Sequence, residues 1–551
     1  MPVTAANRSA TIARRAQVAQ KRVSTSVSIP APVGGWNARD SLAGMDEKDA
    51  VELINYLPGT TTVKLRKGYS PHTTSLSGQV ETLMAYSGST TNRLFAATSD
   101  GFIYDNTIAD ELLLTESGEY ITTESGDAIV VENTNSVLNL SGLANGRWQY
   151  VNFTTSGGNY LNAVNGADYY RVFDGTLWHM DTDGPPYDIT GVDSRTLIGI
   201  NNFKNRLWFV QIGTLKAWYL PVNSIGGAAA ALDMSSLCRR GGYLMAMGTW
   251  TLDAGYGVDD YAVWITSNGE VLVWRMTDPT DPNSIFLIGV WWIGSPIGRR
   301  CFEKWIGDLV VITRDGLVAL SSALQSSRLN PRVDLTDKIQ SAMSESVALY
   351  GANFGWQVIP FPSQDVLLLN VPIQAGQSQE QYVMNTITGA WGRIRGWEAN
   401  CWEIFEDELY FGGDTIVGHA FDSFSDVQDP IEGSILQAFN YFKTRGKLKR
   451  FTMMRPIMYA NGSPEIQGNI NTDFDQSAPT PNLNTVPASG ALWDSGIWDT
   501  GIWGAELSAI LNWQGVTGNG YCGAPRFASS TSSFSIELVA TDVVMEEGAI
   551  L

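Results

Sequence analysis

The sequence predicts an all-β protein: a degenerate β-propeller of six to eight blades, with an inserted helix and a C-terminal β-rich domain. Three observations lead there. Charged residues make up only 17% of the 551, while glycine is raised at 55; an average globular domain carries about 25% charged residues. A strand–turn–strand text recurs along the middle of the chain. Each recurring unit, roughly 40–50 residues, is a small sheet that cannot bury both faces alone, and stacking around an axis solves that.

The clearest copies turn at Asp100-Gly101 within Arg93–Tyr104, at Asp174-Gly175 within Tyr169–Trp178, at Asn268-Gly269 within Ala262–Trp274 and at Asp315-Gly316 within Leu309–Leu320. Such dipeptides between apolar runs signal tight hairpins, because a type I′ turn needs positive φ at both central residues. Weaker copies lie at Arg206–Gly213, Gln381–Trp391 and Glu408–Gly413.

Around the propeller, read as 78–430, the chain divides into three further parts. Residues 1–30 form a flexible basic arm, with Arg8, Arg14, Arg15, Lys21 and Arg22 and no acid before Asp40. Residues 31–77 form a lead-in segment with a short predicted helix: Ala50, Leu53, Ile54 and Leu57 fall at helical spacing, Asp46 is placed as N-cap, and Pro58-Gly59 ends it. Residues 431–551 form a β-rich assembly platform. Two insertions interrupt the propeller, at 110–135 and 321–350. The first repeats Thr-Glu-Ser-Gly at 115–118 and 123–126, which reads as an exposed hairpin, and the second carries a helical stripe of Leu335, Ile339, Met343, Val347 and Tyr350 ending at Gly351.

The balance of 56 acidic against 36 basic residues gives a net charge of −20. That argues against a protein that grips phosphate, since affinity for nucleic acid rests largely on Lys and Arg. It permits a surface past which nucleic acid slides. Cys238, Cys301, Cys401 and Cys522 form no close pair, so neither a disulfide framework nor a zinc site is indicated. No run of about 18 apolar residues suggests a membrane helix, and the basic start lacks the apolar stretch of a signal peptide.

Enzyme signatures are scarce. Three histidines (His72, His179, His419) starve a Ser/His/Asp triad or a His-rich metal site. No nucleotide loop, nucleophile elbow or zinc-protease motif occurs, and no cofactor is expected. Asp259-Asp260 and Thr277–Pro282 read as turns rather than calcium loops. Carboxylates are plentiful, so a glycosidase pair stays open. Lys443, Arg445, Lys447 and Lys449 alternate along an expected strand, with Arg450 beside them and Phe442, Leu448 and Phe451 placed to pack. This cluster is the candidate partner contact. The ladder Trp493, Trp498 and Trp503 either anchors a loop by burial or stacks on sugar rings.

Segments at both ends carry a resemblance. Gly34–Asp40, Ala50–Gly59, Val63–Tyr69, Leu94–Asp105 and Glu537–Gly548 are together similar to the tail nozzle proteins, or tail tubular protein B-like family, of short-tailed bacteriophages (podoviruses). The resemblance implies a non-enzymatic virion protein, made in the host cytoplasm and forming a homohexameric tube below the portal-adaptor ring. It implies further partners: tail fibres or spikes, viral DNA passing through the lumen, and the host envelope. The tube would retain the genome and conduct it at ejection. A gate would then be sought in the acidic insertion, at Glu111, Glu116, Glu119, Glu124, Asp127 and Glu132. The alternative is a carbohydrate-binding or glycan-degrading β-propeller of a phage tail spike or a bacterial surface.

Overall fold

The computed structural model describes residues 24–107, 136–253, 258–321, 335–374, 376–485 and 508–550. Small antiparallel sheets follow one another along the chain as up-and-down meanders. Blade 1 is Val80–Tyr86, Arg93–Thr98, Ile103–Asp105 and Val137–Leu140. Blade 2 is Gln149–Thr155, Gly158–Val164, Arg171–Phe173 and Trp178–Met180. Blade 3 is Leu197–Phe203, Arg206–Gln211, Lys216–Tyr219 and Ala230–Asp233. Blade 4 is Leu244–Asp253, Val258–Thr266, Glu270–Met276 and Ile285–Trp292. Blade 5 has three strands, Phe302–Trp305, Asp308–Thr313 and Gly316–Ala319.

The next meander, Gln357–Phe361, Val366–Gln374, Ser378–Asn385 and Trp391–Arg395, is not a sheet of its own. It forms one half of a nine-stranded sheet and is called blade 6 here. Blade 7 is Cys401–Phe405, Glu408–Gly412 and Val417–Ala420, completed by Tyr69–Thr73 from the start of the chain. Six blades thus stand as separate sheets, and the seventh meander is built into the platform. Three of the four Asp-Gly or Asn-Gly pairs fall between paired strands of one blade, and the fourth straddles the Arg314-Asp315 turn and the strand that Gly316 opens. Gly101 and Gly269 take φ of +78° and +80° there, where a side chain would be strained.

Between blades, apolar side chains form stacked layers. Trp208 and Trp264 meet edge to face between blades 3 and 4, and Val263, Val273, Val311 and Val318 fill the next interface. Helix α1 (Gln340–Tyr350) follows blade 5, as the stripe predicts, and buries Met343. Ile339, just before it, is buried in the same core.

The platform is a seven-stranded sheet centred on Lys447–Ala460 paired with Ile536–Ile550, together with the rest of the nine-stranded sheet. Strand Asp49–Ile54 is the joint. It meets blade 6 in parallel at Ile54 and Arg393, and Ile431–Gln437 in antiparallel on its other side.

This joint corrects the predicted short helix. Asp49–Ile54 and Tyr56–Pro58 are strands. A strand buried on both faces needs no alternation of apolar and polar residues, so its apolar spacing can match a helix by coincidence. Ala50 and Leu53 are fully buried, and Asn55, at φ 59°, separates the two strands. Asp46 does not cap a helix; its Oδ1 accepts the Lys48 N–H in a turn.

One buried ion pair fastens these parts. The Arg66 guanidinium, wholly buried, donates to both oxygens of Asp426 at 2.8 and 2.5 Å, to Asn55 Oδ1 at 3.0 Å and to the Arg395 carbonyl at 2.8 Å. It lies 4.6 Å from the centre of the Trp397 ring, whose Nε1 also donates to Asp426. Removing one partner leaves the other charge buried and unpaired. Asp426→Ala is therefore expected to cost about 3–5 kcal/mol of stability, read from urea unfolding. A loss under about 1 kcal/mol would show that the pair does not hold the ring to the platform.

Candidate site at the propeller axis

The first strand of each blade runs along the axis, and these strands enclose a cavity of about 270 Å³. Blades 1 to 7 all contribute: Thr82, Tyr150, Asn201, Met247, Glu303, Gln357 and Glu403 are among its lining residues. Two carboxyl groups share this space. Glu303 is carried by the first strand of blade 5 and Glu403 by that of blade 7, and both are half-buried.

Burial pushes the Glu303 carboxyl up to about 7, offset in part by the Lys304 backbone N–H and reinforced by the negative charge of Glu403. Burial also pushes Glu403 up to about 7, against the Tyr150 hydroxyl, the Ile404 N–H and the positive charge of Arg300, which all favour its anion. The Ile404 N–H donates to Glu403 Oε1 at 3.3 Å.

Arg300 closes one side. It donates to Thr82 Oγ1 at 2.6 Å, to the Glu81 carbonyl at 3.0 Å and more weakly to Gln357 Oε1 at 3.4 Å. These acceptors are neutral, so its charge is held in place without being cancelled. Burial lowers its pKa from the usual arginine value. Two carboxyls poised near neutrality beside a fixed cation can divide proton donation and proton acceptance between them.

Sequence reasoning left the carboxylate pair open and did not locate it. A signal was present: Cys301-Phe302-Glu303 and Cys401-Trp402-Glu403 repeat one Cys-aromatic-Glu triplet on the first strand of two blades. Both cysteines are buried, and burial pushes their thiols up to about 12 and about 11. They act as small core residues rather than nucleophiles.

The residues singled out from the sequence lie elsewhere. Lys443 and Arg445 sit in a turn, with Phe442 and Lys443 at positive φ, so the expected strand face starts only at Lys447. Lys447 pairs with Glu547 at 2.8 Å, and Arg445 lies over the Tyr441 ring. Lys449 is buried, its Nζ donating to the carbonyls of Thr444, Lys447 and Tyr521. Arg450 and Leu448 are exposed, whereas Phe442 and Phe451 pack together. The five basic residues do not form one face.

His179 stacks on Tyr187 and bonds Asp174, His72 is buried against the Asn106 carbonyl, and His419 meets Glu408. Asp260 pairs with Lys204, and Asp278 with Arg206. The gate candidates Glu111, Glu116, Glu119, Glu124, Asp127 and Glu132, the ladder Trp493, Trp498 and Trp503, and the basic arm all lie outside the described residues.

No protein-family model matches the sequence, and no curated protein matches it. Solved structures do match. One is an exo-β-1,3-galactanase from Phanerochaete chrysosporium, 11% identical, covering 79% of this chain and 100% of that one with a TM-score of 0.28. Another is the β-propeller domain of Cps50 (Swd1) from Myceliophthora thermophila, 11% identical, covering 64% and 99% with a TM-score of 0.36. A third is Raptor from Chaetomium thermophilum, 8% identical, covering 64% and 29% with a TM-score of 0.36. Likeness at this level carries no activity across.

The tail-nozzle expectation is corrected. The described residues form a propeller joined to a β-platform, not an elongated tube-like fold. The virion role falls with it. The reading as a non-enzyme is corrected too: the axis holds two half-buried carboxyls that can divide proton donation and acceptance between them.

A carboxyl with a raised pKa costs stability once it must ionise. The native state binds the extra protons, so stability falls as pH rises from the unfolded value near 4.3 through the native value. Both Glu303→Gln and Glu403→Gln are expected to be more stable than the parent at pH 8, by about 1–3 kcal/mol, with the gain vanishing below about pH 4.3. Urea unfolding across that range checks this; equal gains at both ends would place the effect in packing instead.

Proposed function

We propose that this chain is a glycan-acting β-propeller whose sugar ligand enters the axial cavity, with Glu303 and Glu403 as its acid and base. The observation that carries the reading is the pair itself: two half-buried carboxyls, both raised to about 7, lining one cavity. Paired carboxyls flanking a glycosidic bond are the working parts of most glycoside hydrolases.

The surroundings divide the roles. Arg300 and the Tyr150 hydroxyl favour the Glu403 anion, and that anion in turn disfavours ionisation of Glu303. Glu303 therefore gives its proton to the leaving oxygen as the C–O bond breaks. Glu403 takes a proton from water as the water oxygen bonds to the sugar carbon. One water is consumed, and each fragment gains a hydroxyl.

Incubation with a panel of galactans, pectins and bacterial capsular polysaccharides, assayed for new reducing ends, tests this directly. Glu303→Gln and Glu403→Gln are each expected to lower the rate by roughly 10²–10⁴-fold, and the parent to show a bell-shaped pH profile centred near neutrality. Hydrolysis untouched by both substitutions would overturn the assignment of the site. Binding on a glycan array without hydrolysis of any panel member would reduce the chain to a carbohydrate-binding propeller.

A further inference from the structure

Beside the axial cavity lies a larger one of about 830 Å³, and Gln149, Met245, Arg299 and Arg300 line both. It forms a vestibule under helix α1 and the loop that follows it, residues 351–356. Four arginines line it, Arg147, Arg299, Arg300 and Arg314, and no Asp or Glu does. In a chain of net charge −20 this local reversal of sign stands out from the rest of the molecule.

The arginines are poorly compensated. Arg147 pairs with Glu81 at 2.9 Å. Arg299 donates to the Asn165 carbonyl, and Arg300 to the neutral acceptors described above. Among the described residues no carboxylate lies within ion-pair distance of Arg299, Arg300 or Arg314. The Arg147 and Arg300 guanidinium carbons lie 4.5 and 5.3 Å from the centre of the same Phe354 ring. Burial lowers the pKa of Arg299, and repulsion from Arg147 lowers it further. Arg299, Arg300 and Arg314, held in a walled cavity with no ion-pair partner among the described residues, favour an incoming anion, and guanidinium forks match carboxylate geometry.

We propose that the vestibule selects acidic glycans: carboxylate-bearing sugars whose anionic groups engage Arg299, Arg300 and Arg314 while an adjoining residue reaches the axial carboxyls. Tyr243 on the same wall offers aromatic surface against which a sugar face packs. This inference rests on the glycan reading above and names the substrate class for it.

Calorimetric titration with oligogalacturonate and with the neutral galacto-oligosaccharide of the same length tests it. The acidic chain is expected to bind and the neutral one to bind at least about tenfold more weakly, a gap that closes as NaCl rises from about 50 to about 500 mM. Arg314→Gln, at an exposed hairpin turn, and Arg299→Gln are each expected to weaken acidic binding about tenfold, a typical loss for a charged hydrogen bond. Equal binding of both oligosaccharides, unchanged in the variants, would overturn the charge selection and leave the glycan reading standing. Failure of both to bind, with inorganic sulfate still captured in an Arg314-dependent way, would keep an anion site and overturn the glycan reading along with the substrate class named here.

Discussion

Everything at the axis depends on how the ring is closed and held. The strand Tyr69–Thr73, from the start of the chain, completes blade 7, so the first and last parts of the propeller share one sheet. Next to that closure, Arg66 and Asp426 bind each other, with Asn55 and Arg395 tying the platform to blade 6. A ring with an open seam lets its first strands drift apart. Here those strands carry the carboxyls, and a displacement of about 1 Å is enough to spoil such a constellation.

The axial site and its vestibule form one electrostatic arrangement. Burial raises both Glu303 and Glu403, and the charge of Glu403 raises Glu303 further. Arg300 belongs to both cavities, so the same guanidinium that steadies the Glu403 anion also faces the vestibule. A ligand arriving there would meet positive charge first and the proton donor after it. Screening by salt acts on the exposed Arg314 before it acts on the buried Arg300.

Much of the architecture was legible in the sequence because hairpin chemistry is local. The turns at Gly101, Gly175, Gly269 and Gly316 mark four blades without reference to anything distant. The α1 stripe is equally local, since Ile339 and Met343 fall on its buried side. What failed was non-local. Asp49–Ile54 imitates a helix because its partners, Ile431–Gln437 and blade 6, lie hundreds of residues away. The basic run from Lys443 to Arg450 looks like one face until Phe442 and Lys443 adopt left-handed backbone. The site itself was hidden for a different reason: among so many acids Glu303 and Glu403 are set apart by sharing one axial cavity, and that cavity is built by seven blades together. The resemblance of the chain ends to a tail protein group rested on short segments, which the whole fold did not support.

The central claim is that two carboxyls at the axis titrate as a coupled pair near neutrality. Carbon-13 NMR of protein labelled at the Glu side-chain carboxyl would read it directly, with Glu303→Gln and Glu403→Gln assigning the signals. Two carboxyls are expected to titrate far above the ordinary range, near 7, with a downward shift of either one when the other is replaced. Titration of both below about pH 5, or independence of one from the other, would contradict it.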